Sequence, residues 1–535
     1  MEVHGRDVHQ PRRVGLEFLS VATGVIASQG VLAALIGNRR GQGHSSVETS
    51  ALRAAFFMMS PFIAAATSGD EWSPPVPASA PGPPFWTADG HWLEFETLDP
   101  ETWDTFWGGM NVGRREVSQG WNHFSSRFRN ATCSLPAALH EATAQRTLTE
   151  LSLLADASGV SMCRVRDFAE LLANVSSSNG DDVVPWTLEQ RPVGGGPGAA
   201  PVPPGPGPLT GIRVVEVTRR FQGPLAGLLL RMLGADVVRV EPPDGDLVRS
   251  TPPLAGDIGA TFLALNRGKA SVEIDPKTAL GRTQLLEMVA DADVFLHNWR
   301  PGRASELSLE SQDCLDLNPR LVYAHASGWG GHSTSYLPIA TDFLVQAYTA
   351  LGTTINPVGE PPFPTRFPIV DFMGGLLACE GILAGLYLRE GNGRGCRVET
   401  SLLGAAMALQ SHVLEGVTEG TDRTRQEGRP VWGLLDKPLQ TARGFLMVTI
   451  DTPIRRQRCH EICEVPLSAT DDRVAHRLLE RPASEWVQLF LEADIPCSSV
   501  CTDLAALADD VRLAGLLEPL GDTCRGATAP WRFIP

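Results

Sequence analysis

From residue 211 onward the chain alternates short apolar runs with longer apolar-striped segments. This alternation limits the fold more than any other feature. GIRVVEVT (211–218), ADVVRVE (235–241), KASVEID (269–275), DVFLHN (293–298) and RLVYAHAS (320–327) read as strands. PLAGLLLRMLG (224–234), closed by Gly234, and GRTQLLEMVADA (281–292) read as helices. Nearly continuous apolar strands separated by helices predict an α/β fold with a doubly wound, Rossmann-like parallel sheet. The turn after the first strand is TRRFQGP. It lacks the G-x-G-x-x-G fingerprint, so a nicotinamide or flavin dinucleotide is not expected.

Proline and glycine break the chain twice. SPPVPASAPGPP (73–84) reads as a loop, and RPVGGGPGAAPVPPGPGPL (191–209) as an interdomain linker. The chain then divides into residues 1–190, the linker 191–209 and residues 210–535. The first part echoes the end of the last. DFMGGLLACEGILAGLYL from Asp371 aligns with SVATGVIASQGVLAALIG from Ser20, and both run on into VETS. QTARGFL (440–446) matches WTADGHWL (86–93), and residues 481–507 match 146–172 in the same order. Residues 1–190 have no counterpart of 211–360 and carry Ser20 where Asp371 stands. They are expected to be a partial, non-catalytic copy, placed beside the parallel-sheet domain and a smaller α+β domain.

The formal net charge of −16 argues against a nucleic-acid partner, which requires a basic footprint. A local cluster of Arg and Lys can still hold a small phosphate-bearing ligand. Phe18–Gly37 is uncharged and long enough to span a bilayer. Its Gly, Ala and Ser content and its counterpart after Asp371 predict a soluble helix, no membrane partner and a cytoplasmic protein. Ten cysteines in 535 residues do not make a disulfide scaffold. Cys459-x3-Cys463 and Cys497-x3-Cys501 are poorly spaced for zinc, so buried thiols and no metal are expected.

PIVD ends an apolar run at Asp371, and Gly374-Gly375 follow. A carboxylate there lies at a helix N-terminus that favours an anion. At the usual pKa of about 3.9 it would be ionised at neutral pH without a base.

Residues 210–535 resemble the class III coenzyme A transferases (CaiB/BaiF-like), the family of formyl-CoA transferase, carnitine CoA-transferase and 2-methylacyl-CoA racemase. The resemblance rests on ordered motifs: GIRVVEVT with LGADVVRVEPPDGDLVR, NRGKASVEID, ADVFLHNWRPG, NPRLVYAHASGWG, TDFLVQA and VDFMGGLLACEGILAGLYLREGNGRGCRVETSLL. It implies transfer of coenzyme A from an acyl-CoA to a carboxylic acid, with Asp371 as nucleophile and an aspartyl-CoA thioester as intermediate. Gly330 and Gly331, within Gly328–Gly331, are the expected N–H donors to developing oxyanions and a mobile cover. Arg249, Arg267, Lys269, Asn298 and Arg300 are the expected coenzyme A contacts. No cofactor is expected to be bound permanently; coenzyme A and acyl-CoA enter as substrates. A homodimer or a pseudo-dimer is implied. The racemase branch has a His where this chain has Thr341, before Asp342, which argues for transfer. Phe221 stands where formyl-CoA transferases often carry a polar residue, which argues against formate or oxalate. The alternatives are an acyl-CoA racemase or isomerase of the same family, and a non-catalytic acyl-CoA-binding scaffold.

Overall fold

In the computed structural model, which describes residues 1–70, 80–177, 183–191, 205, 207–332, 337–420, 424–522 and 524–534, a short helical segment at the start is followed by a long apolar helix. This helix, α1 (Phe18–Arg39), leads to strand β1 (Ser46–Glu48) and helix α2 (Ala51–Ala66). Strands β2 (Phe85–Trp86), β3 (Trp92–Glu96) and β4 (Ser161–Arg164) then form a three-stranded antiparallel sheet. Strand β5 (Trp186–Gln190) precedes the expected linker, whose residues 192–204 and 206 lie outside the described residues. Most of the expected loop at 73–84 is likewise outside them, from 71 to 79.

The alternation after residue 211 folds as its pattern requires. Strands β6 (Arg213–Val217), β7 (Asp236–Glu241), β8 (Ala270–Glu273), β9 (Val294–His297), β10 (Val322–Ser327) and β11 (Cys396–Ser401) are parallel. With β5 they give one seven-stranded sheet of order β8-β7-β6-β9-β10-β11-β5. Only β5 runs antiparallel, paired to β11. The boundary expected at residue 190 therefore cuts across the main sheet, because a strand from before the linker completes it. Helix α3 (Gln222–Met232) follows β6, and α4 (Asp342–Tyr348), α5 (Ile369–Asn392) and α6 (Leu402–Thr418) surround the last strands. A second small three-stranded sheet, β12 (Leu439–Gln440), β13 (Phe445–Val448) and β14 (Cys497–Val500), comes next, and β15 (Arg532–Ile534) ends the fold.

The two sequence echoes adopt matching local structure. Ser50 and Ser401, the last residues of the two VETS segments, each cap a helix by accepting the N–H three residues on, Arg53 and Gly404. In the first small sheet Thr87 N–H bonds to His91 O and Ala88 N–H to Arg146 O. In the second, Thr441 N–H bonds to Gly444 O and Ala442 N–H to Arg481 O. Gly90 and Gly444 take the left-handed turn position, at φ 84° and 86°. The pairing is also reciprocal. β1 pairs with β15 from the far end of the chain, and β11 pairs with β5 from before the linker. Trp531 packs on Gly30 and Trp186 on Gly381.

Helices α1 and α5 are both long and apolar enough to cross a membrane by length and composition alone. They pack on each other, and buried Gln29 donates its amide to Leu376 O. Each small sheet has its own core. Phe85, Phe95, Trp103, Phe106, Trp107 and Phe124 fill the first, and Leu446, Val448, Trp486 and Phe490 the second. Cys459 and Cys463 are buried in the second as expected, whereas Cys497 is half-buried and Cys501 exposed.

Candidate active site

The carboxyl ends of the parallel strands open into a cavity of about 1450 Å³. This is where an open α/β sheet places its ligands. Every residue lining it lies between Val217 and Leu402, and none comes from before the linker.

Asp371 lines this cavity from the first turn of α5. It is not the helix cap; that position is Pro368, which has no side-chain acceptor. The cap comes from another helix. Asp342, the first residue of α4, accepts the N–H groups of Val370 and Asp371 on one carboxylate oxygen, both at 2.8 Å. Its other oxygen accepts from the amide of Gln346. Asp342 is 1% exposed. It holds α5, and with it the backbone of Asp371, against α4.

The two acidic groups are neighbours, and the charge of Asp371 raises the proton affinity of the buried Asp342. Burial, joined by the charge of Asp371, pushes Asp342 well above the carboxylate range. Asp371 rises to about 7, chiefly by burial; the Arg220 guanidinium opposes this and Glu96 adds to it. An ionised Asp371 at neutral pH, expected from the sequence, is therefore only partly realised. A helix N-terminus stabilises an anion by about 0.3–1 kcal/mol, under one pKa unit. That is too little to offset burial. Glu96 belongs to β3, so the segment before the linker acts on Asp371 through its charge without lining the cavity. The β3 edge is anchored by a buried ion cluster: Arg127 pairs with Glu94 at 2.8 Å and Glu96 at 3.2 Å, and its guanidinium stacks on Phe343 of α4.

The other expected contacts divide. Asn298 lines the cavity and pins the turn after β6, accepting from Arg219 N–H and donating to Arg219 O. Arg300 lines it too, paired with Glu306 at 2.7 Å. Three are not brought to the cavity lining. Lys269 is buried, paired with Glu216 at 2.8 Å and bonded to Pro224 O, and burial lowers its pKa to about 8. Arg267 holds the chain's end, bonding Ala527 O and Glu518. Arg249 pairs with Glu241 and stacks on Phe262. Their charges are already answered inside the protein.

Gly330 lines the cavity at φ 61°, but its N–H is donated to Ser327 Oγ at 3.0 Å. It is not a free oxyanion donor. Gly331 is exposed and outside the lining, and residues 333–336 beyond it are outside the described residues. Thr341 is the available hydroxyl. It is 3% exposed, lines the cavity beside Asp342, does not cap its own helix and has no hydrogen-bond partner among the described residues. Phe221 turns into the core against Phe372, and the next residue, Gln222, lines the cavity with its amide donated to Ser327 O.

Sequence reasoning missed the cations that are free. Arg219, Arg220 and Lys277 line the cavity, and among the described residues none has an ion-pair partner. The signal was a pair of arginines in the first strand–helix turn and a lysine following the third strand, the positions that point past the sheet edge. His297 and His325 stack at 4.6 Å on the lining strands. His297 accepts the Trp299 N–H and faces Tyr323 OH at 2.7 Å, and burial holds it well below its usual pKa.

A family model described as CoA-transferase family III matches residues 1–195 and 209–533. A probable fatty acyl-CoA transferase of Mycobacterium tuberculosis is 30% identical over 319 residues, covering 53% of this chain and 80% of that protein. Acetyl-CoA:oxalate CoA-transferase of Acetobacter aceti is 29% identical, over 54% and 80%. The crystal structure of a CaiB/BaiF family protein from Brucella suis matches at a TM-score of 0.52 and 25% identity, covering 61% of this chain and 93% of that one.

Proposed function

The chain belongs to CoA-transferase family III, and on that premise we propose that it moves coenzyme A from an acyl-CoA to a carboxylic acid through an aspartyl-CoA thioester on Asp371. The observation that carries this reading is a carboxylate on the first turn of α5, facing a cavity whose rim holds the unpaired cations Arg219, Arg220 and Lys277. Those cations fit the diphosphate and 3′-phosphate of coenzyme A, with Asn298 and Arg300 beside them.

The ionised carboxylate of Asp371 attacks the thioester carbonyl and expels the coenzyme A thiolate, leaving a mixed anhydride. The thiolate then attacks the aspartyl carbonyl, and the donor acid leaves carrying one oxygen of Asp371. The acceptor carboxylate displaces the thiolate again to give a second anhydride. Attack of the thiolate on the acceptor's acyl carbon releases the new acyl-CoA and restores Asp371. Arg220 favours the ionised nucleophile, and the Thr341 hydroxyl is placed to donate to an oxyanion.

Residues 1–190 serve as a partial, non-catalytic copy that closes a pseudo-dimer within one chain. Ser20 in place of Asp371 and the reciprocal strand pairings β1–β15 and β11–β5 support this. Incubation with acetyl-CoA or succinyl-CoA and a panel of carboxylic acids should yield new acyl-CoAs, and Asp371→Asn should yield none. Tight acyl-CoA binding without transfer would favour a scaffold. Exchange of the α-proton without any acceptor would favour a racemase.

A further inference from the structure

The parallel register lines up three polar side chains on one face of the sheet. His297 of β9 is the register partner of His325 on β10, and His325 is the partner of Glu399 on β11. Their side chains therefore leave the sheet side by side. The two imidazoles stack at 4.6 Å and 20°. All three residues line the cavity, on strands rather than on α5 with Asp371, and the transfer steps leave them without a task.

Their partners show what they hold. His297 Nδ1 accepts the N–H of Trp299 at 3.4 Å, and His325 Nε2 meets the carbonyl oxygen of the same residue at 3.1 Å. The indole of Trp299 lies against the His297 ring at 4.7 Å. The hydrogen bonds fix the protons. Tyr323 O–H donates to Leu309 O at 3.0 Å, so its oxygen accepts the Nε2–H of His297 at 2.7 Å. His297 is thus neutral, and burial above all keeps it so. A carbonyl oxygen only accepts, so His325 carries its hydrogen on Nε2. Its Nδ1 faces Glu399 at 3.7 Å, a carboxylate that Arg397 holds at 2.6 Å. One ring takes the backbone donor of Trp299 and the other serves its acceptor.

Trp299 stands between Asn298, which pins Arg219, and Arg300, and the run from Asn298 to Arg303 lines the cavity throughout. Resting on the proposed coenzyme A chemistry, we propose that the stacked pair His297–His325 is a positioning clamp for acyl-CoA. By gripping both backbone groups of Trp299 it sets the loop that carries Asn298 and Arg300 before the ligand arrives. A loop already fixed has little freedom left to lose on binding, and affinity gains accordingly.

His325→Ala should raise KM for acyl-CoA about threefold to tenfold, the worth of one hydrogen bond, with kcat and the KM of the acceptor acid unchanged. His325→Gln, whose amide can donate to the same carbonyl, should restore most of the loss. Titration calorimetry with coenzyme A alone should give dissociation constants in the same order, and this series tests the clamp without any turnover. A wild type that transfers coenzyme A, beside an Ala variant with unchanged KM and dissociation constant, overturns the clamp alone. So does an equal loss in the Ala and Gln variants, or a loss that falls on kcat. A wild type that binds no coenzyme A overturns the coenzyme A reading and the clamp with it.

Discussion

The helices α1 and α5 repeat one sequence pattern and pack on each other, yet only α5 carries an acid facing the cavity. α5 carries Asp371 in its first turn, is capped by Asp342 of α4 and opens into a cavity lined by six strand ends and their loops. α1 has Ser20 at that position, exposed and bonded to Glu17, with β1 paired to β15 and, among the described residues, no further strand beside it. The proposed nucleophile and the strand ends that form the cavity occur together around α5, and α1 has neither. A carboxylate on a helix N-terminus is thus not enough; the walls that bury it and the cations that face it make the site.

The largest expected effect is on catalysis. Asp371→Asn should lower kcat by at least about a thousandfold, the scale on which nucleophiles act, while Ser20→Asp should leave kcat unchanged. The same Asn variant should be more thermostable than the wild type at pH 8. The folded protein holds a proton on Asp371 to about pH 7, the unfolded chain only to its ordinary 3.8. Stability therefore falls as pH rises between those values, and the neutral amide escapes that loss. Thermal scans at pH 4 and pH 8 would measure the divergence; equal shifts at both would remove the buried-charge argument.

Lys269→Met comes next. It strands Glu216, which is 0% exposed, and should destabilise the fold by about 3–5 kcal/mol. In the protein that remains folded, KM for acyl-CoA should change little. Lys277→Met should do the opposite, raising KM at an unchanged thermal midpoint. A large KM effect with Lys269→Met would return that lysine to the coenzyme A site.

Smaller shifts test the link between the two halves. Activity should rise with pH through about 7 as Asp371 ionises. Glu96→Gln removes a negative charge that raises Asp371 and should move this limb to lower pH; Arg220→Met should move it higher. A limb indifferent to Glu96→Gln would mean that the segment before the linker does not act on the chemistry. The smallest effect is expected for Thr341→Val, a modest fall in kcat with KM unchanged.

The parallel sheet was legible because strand and helix periods leave unambiguous traces over 211–327. The position of Asp371 was legible because an apolar run, an acid and a pair of glycines mark a helix start. The fate of the cations was not. Lys269 and Arg267 look the same in the sequence as Arg219 and Lys277. Only the fold shows that Glu216, 53 positions before Lys269, and Ala527 lie within reach of the first two. Nor could local sequence reveal that Asp342 caps α5 from 28 residues away, or that Ser327 engages Gly330. Burial decides each of these, and burial is a property of the whole fold.

The central claim is one chain with one nucleophile, on α5 and not on α1. Turnover with acyl-CoA in the presence of hydroxylamine, followed by peptide mass mapping, tests it most directly. The account predicts a hydroxamate on Asp371 alone, dependent on acyl-CoA and absent from Asp371→Asn. An adduct elsewhere in a chain that still transfers coenzyme A, at Ser20 above all, would contradict it.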